Sequence, residues 1–147
     1  MIISYLFMVA TFILLVLSGL QGYYQFQIVE ANHSQFALLT ICFYLLTETL
    51  IMFYFIGAGT AIKKTIQTNG ISTSIYDQVK KTKMKLFPHL TLNMAFLSTV
   101  FILGGAVQTG RMAGWIHGLI FFLAFIHFIY TVVLQHRGFK ENVDIIG

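Results

Sequence analysis

Spaced by its apolar and polar positions, the chain divides into four long apolar runs joined by short polar clusters. No charged residue occurs from Met1 to Val29, and the strongest apolar stretch there is Ile2 to Leu20. A helix needs about 20 residues to cross a hydrocarbon core of about 30 Å, so a first span is predicted over about residues 2–20. Gln21-Gly22-Tyr23-Tyr24-Gln25 then reads as an interface, with tyrosines suited to the headgroup level. After the polar connection Glu30-Ala31-Asn32-His33-Ser34-Gln35, a second span is expected over about residues 36–62, with Glu48 as its one charged residue. The third is expected over about 87–109. Pro88 near its start suits a first helical turn, where the missing N–H is not needed. Gly110-Arg111-Met112-Ala113-Gly114 reads as a tight turn, and a fourth span is expected over about 112–134.

The placement of Lys and Arg orients these spans. Lys63, Lys64, Lys80, Lys81, Lys83 and Lys85 lie between spans two and three, and Arg137 and Lys140 follow span four. With an even number of spans these eight fall on one side, against Arg111 alone on the other. The expected fold is therefore all-α: an integral membrane four-helix bundle, up-down and antiparallel, with both termini and the basic loop 63–85 cytoplasmic. A single transmembrane domain accounts for residues 1–147. A bacterial or archaeal cytoplasmic membrane is the expected location.

Composition agrees. Only 10% of residues are charged, against about 25% in soluble domains. The basic balance carries no argument for nucleic acid, because the lysines sit beside membrane segments. The first run lacks a basic n-region, so a span is expected there and not a leader. Cys42 is the single cysteine, and no C-x-x-C-H is present. Within the basic loop, Thr68-Asn69-Gly70 reads as a turn, and Ser74-Ile75-Tyr76-Asp77 resembles a capping box opening a short helix. That helix is expected either to bind anionic lipid through its lysines or simply to fix topology.

Glu48 is the most informative residue. An ionised carboxylate in a span costs several kcal/mol, so it faces protein or water or is protonated. Thr40, Tyr44 and Glu48 form a ladder at helical spacing, with Thr47 beside it. The expectation is a proton, ion or interhelical polar site made of Glu48, Tyr44 and Asn93; the alternative is plain hydrogen-bonded glue between helices. In span three His89, Asn93, Leu97, Val100, Gly104 and Gln108 share a face. Gly104, Gly114 and Gly118 are expected to bring spans three and four close together, the last two forming a GxxxG pattern.

His89, His117 and His127 lie within predicted spans. A membrane haem b takes two axial histidines from different helices. His89 with His127 is the preferred pair, because an imidazole left unpartnered inside the membrane is costly. Helical rise nevertheless places the two at somewhat different depths. His89 with His136 matches better in depth, and a weaker outer pairing joins His117 to His33. The structural alternative is that all are hydrogen-bonding histidines. No metal site is expected, since the Glu-x-x-His pairs of di-iron bundles, H-E-x-x-H, a P-loop and G-x-S-x-G are all missing. No catalytic set is recognised.

The leading functional expectation is a non-catalytic membrane subunit or accessory factor of a larger respiratory or electron-transfer complex. Its expected partners are the bilayer, other membrane subunits or further copies of the chain. The alternative is a haem b redox or proton-handling protein that uses the intramembrane histidines and Glu48. A small oligomeric transporter or channel is a further alternative, although no internal repeat supports an inverted-repeat transporter.

Overall fold

The computed structural model describes residues 1–69 and 74–146. It is all-helical, with α1 (Ile2–Tyr24), α2 (His33–Asn69), α3 (Ser74–Gln108) and α4 (Gly114–Ile146). Each is long and apolar enough to cross a membrane. The apolar runs become helices because hydrocarbon offers no partner to a peptide N–H or C=O, so each segment must satisfy its own backbone.

The helix ends follow local chemistry. Gln25 ends α1 in the left-handed conformation, with its N–H donated to the carbonyl of Gln21 at 2.9 Å. Asn32 and Gln35 cap α2 reciprocally: Asn32 Oδ1 accepts the Gln35 N–H, and Gln35 Oε1 accepts the Asn32 N–H, each at 3.0 Å. This is a capping box in Asn/Gln form. Gly110, at φ 69°, turns the chain after α3, where a side chain would be strained.

The helices outrun the expected spans. α2 holds 37 residues, about 55 Å at 1.5 Å per residue, against a hydrocarbon core of about 30 Å. The segment expected as a basic loop over 63–85 is instead helical over 63–69 and 74–85. Gly70 of the expected turn lies outside the described residues, while Thr68 and Asn69 belong to α2. The short helix expected from Ser74 runs unbroken into the third span. Pro88 therefore sits deep inside α3 rather than in a first turn. Val79 and Leu86 are buried on one side of this extension, so it packs as part of the bundle.

α3 and α4 make the most extensive contact, followed by α2 with α3 and α1 with α2, and α1 touches α4 more lightly. The surface is more apolar than that of a soluble protein, and polar groups lie inside. Leu6, Phe53, Ile102 and Phe122 are exposed, while Thr11, Glu48, Asn93 and Gln135 are buried. Apolar surface on every helix with polar groups inside is the pattern of a chain solvated by lipid.

The interior has two apolar clusters. One contains Met8, Ile51, Phe55, Leu86, Leu90, Leu134 and Phe139. The other contains Leu15, Ile41, Tyr44, Leu97, Val100, Ala124 and Phe128. The tightest glycine contacts lie elsewhere than expected. A Cβ on Gly138 would stand 2.9 Å from the Phe55 ring, and one on Gly19 would stand 2.7 Å from Phe121. Gly118 has nothing within 4 Å, while Gly104 and Gly114 are at ordinary contact distance from His117 and Val107. The GxxxG pair thus leaves its second glycine on an open face. Small size permits close approach, but only the helix rotation decides whether anything approaches.

Candidate functional site

Between the two apolar clusters every helix contributes a buried polar group. Thr11 comes from α1, Thr47 and Glu48 from α2, Asn93 from α3, and Thr131 and Gln135 from α4. All but Gln135 lie in sequence between members of the two clusters, for instance Thr11 between Met8 and Leu15, and Asn93 between Leu90 and Leu97, and Gln135 follows Leu134 of the first cluster. The groups therefore form one polar layer across the bundle. On α2, Thr40, Tyr44, Thr47 and Glu48 are all buried.

Glu48 meets Gln135, not Tyr44. Gln135 Nε2 donates to Glu48 Oε2 at 2.5 Å, and both side chains are fully enclosed. Among the described residues Gln135 Oε1 has no partner. A neutral Glu48 differs from an ionised one in what it can offer this amide. Its O–H is a donor, and the amide oxygen beside it is the acceptor that lacks one. An ionised Glu48 has nothing to give that oxygen. Beside this pair Thr11 Oγ1 donates to Thr47 Oγ1 at 3.0 Å, and Thr47 in turn donates to the carbonyl of Phe43.

A second set of hydrogen bonds starts in the core and runs to the α3–α4 surface. Asn93 Nδ2 donates to the Tyr44 hydroxyl at 2.8 Å, while Asn93 Oδ1 lies 2.9 Å from His127 Nδ1. His127 Nε2 lies 3.5 Å from His89 Nδ1. With the amide in this orientation, its oxygen accepts a proton-bearing His127 Nδ1. His127 Nε2 is then an acceptor for His89 Nδ1–H. His89 Nε2 is left with its lone pair at the edge of the bundle. Tyr130 packs edge-on against His89 at 5.1 Å between ring centroids, and Phe96 against His127 at 5.7 Å.

The two histidines foreseen as a pair are thus neighbours across α3 and α4. Their nitrogens meet in direct hydrogen-bond contact. Of the other histidines, His136 bonds to the Tyr5 hydroxyl through Nδ1 at 2.8 Å. His33 and His117 stack edge to face at 6.3 Å, the weaker outer pairing considered from the sequence. Among the described residues no three His, Cys, Asp or Glu side chains converge as a metal site would require.

Gln135, Thr131 and Thr11 escaped the sequence reading. Span four was expected to stop at Leu134, yet Thr131, Gln135 and Asn142 recur at steps of four and seven on one helix face. That spacing was the available signal. Thr11 is a lone hydroxyl in an apolar run and carries no such signal.

Comparison with protein-family models, with curated proteins and with solved structures gives no match for this chain.

Proposed function

We propose that the chain is a proton-handling multi-pass membrane protein in which Glu48 is the exchangeable carboxyl. The polar layer is the observation that carries this reading. An acid is held in the middle of a four-helix bundle, paired with an amide, and insulated by an apolar cluster on either side. Such a carboxyl binds a proton and releases it when the helices part, in contrast to a continuous water-filled wire. Intramembrane carboxylates and histidines are the usual components of proton relays. The His89–His127 pair adds a second proton-binding group at the lipid-facing edge, and Asn93 fixes its tautomer.

In this reading the bundle is up-down and antiparallel, with both termini and residues 63–85 on the cytoplasmic side of the membrane. The cross-helix contacts support the antiparallel arrangement, since they join Gly22 to His33, Thr11 to Thr47, Tyr44 to Asn93 and Tyr5 to His136. The eight-to-one division of Lys and Arg supports the orientation.

The test is proton uptake by sealed vesicles containing the purified protein and an internal pH dye, driven by a potassium diffusion potential. Uptake above that of protein-free vesicles, lost in Glu48→Gln, is the expected result. Uptake equal to that of protein-free vesicles overturns the proton reading.

A second reading, a membrane subunit of a larger electron-transfer complex, is favoured by the surface group of His89, Tyr130 and Phe96. Tyr130 and Phe96 are each more than 40% exposed, and an imidazole lone pair beside them in lipid calls for a partner. A neighbouring chain or a haem taken up between His89 and His127 would supply it. The haem form of this reading requires iron to replace the present His–His hydrogen bond. A Soret band in gently purified protein, absent after His89→Ala and His127→Ala, identifies that case.

A further inference from the structure

Away from the polar layer, one outward stripe of α3 forms a shallow, open groove that changes character along its length. At one end stand Lys80 and Lys83, and beyond them follow Met84, Pro88, Leu92 and Ala95. We infer that this groove is a binding site for one anionic glycerophospholipid, with the phosphate on Lys80 and Lys83 and an acyl chain along the apolar floor.

The length fits. Ala95 lies twelve positions beyond Lys83, roughly 18 Å at the helical rise, and one leaflet is about half of a 30 Å core. The charge fits too. Among the described residues neither lysine is paired with a carboxylate, although Glu141 lies nearby on Thr82. A Cβ on Gly59 would stand 2.8 Å from Lys83 Nζ, so the ammonium rests against bare α2 backbone.

Pro88 supplies a third feature. A proline inside a helix has no N–H for the carbonyl four residues earlier, which here belongs to Met84. Both residues line the groove. The freed carbonyl lies within a turn of the lysines, where it accepts a headgroup hydroxyl. Phosphate on lysine, hydroxyl on carbonyl and chain on apolar wall together describe a phosphatidylglycerol-type lipid, and the site does not depend on the role of Glu48.

The test counts lipids bound to the detergent-purified protein by native mass spectrometry, using phosphatidylglycerol and phosphatidylcholine with matched chains. Phosphatidylglycerol should bind about 30-fold more tightly, the sum expected for two lysines at a membrane surface. Lys80→Gln with Lys83→Gln should remove that preference. Lys63→Gln with Lys64→Gln, which removes the same charge elsewhere, should keep it. Leu92→Trp should fill the apolar floor and weaken both lipids, a readout independent of the lysines. Circular dichroism confirms that each variant retains its helix content. Equal binding of the two lipids, or equal loss in the Lys63 and Lys64 variant, overturns the site. Competition by glycerophosphoglycerol without acyl chains does the same, since it would mark a phosphate site and not a lipid site.

Discussion

Replacing Glu48 by leucine removes the partner of Gln135 at a place no solvent reaches, and the size of the effect follows from what is left behind. The lost side-chain hydrogen bond itself contributes little, since such bonds between membrane helices average about 0.6 kcal/mol. The stranded amide contributes more. Gln135 is fully buried, and without Glu48 neither its Nε2 nor its Oε1 has a partner among the described residues. An unsatisfied buried polar group costs about 1–3 kcal/mol. Glu48→Leu should therefore destabilise the bundle by about 2–4 kcal/mol. Glu48→Gln keeps a donor and an acceptor facing the amide and should cost under about 1 kcal/mol. Reversible unfolding in mixed micelles, followed by circular dichroism, measures both. The double replacement Glu48→Leu with Gln135→Leu should recover most of the loss, because both polar partners then leave together. If Glu48→Leu proves as stable as Glu48→Gln, the pair is not what joins α2 to α4 across the layer.

Other outcomes follow from the same geometry. Gly138→Leu should lower stability by about 1–3 kcal/mol through collision with the Phe55 ring, whereas Gly118→Leu on its open face should change it by less than about 0.5 kcal/mol; thermal unfolding in detergent compares them, and equal losses would contradict the packing. Asn93→Leu should free the His127 tautomer, so nitrogen NMR of the imidazole should change from a protonated Nδ1 to a mixture, and an unchanged spectrum would show that Asn93 does not set it. In a Cys42→Ala background, a cysteine at Lys81 should resist an impermeant thiol reagent in intact cells while one at Asn32 reacts. The reverse pattern would invert the topology.

The sequence by itself determined that this is a chain of four apolar helices, because hydrophobic length and backbone satisfaction in lipid leave no other secondary structure. It also marked the inward face of α2, since Thr40, Tyr44, Thr47 and Glu48 recur at helical spacing among apolar neighbours. Helix ends were less legible. The lysine-rich segment looked like a loop because hydropathy falls there, yet Val79 and Leu86 are buried and pack it as part of the helix. Pro88 looked like a first turn for the same reason. The partner of Glu48 was decided only by tertiary structure: the sequence offers Tyr44 or a polar group of another helix, and the packing of α4 brings in Gln135 from 87 positions away. The contact of His89 with His127 was likewise decided by how α3 packs on α4, which residue counting along each helix does not resolve. The glycine pattern failed on rotation alone. A periodic pattern identifies the residues that share a helix face, but only the packing of four helices together determines what each face meets.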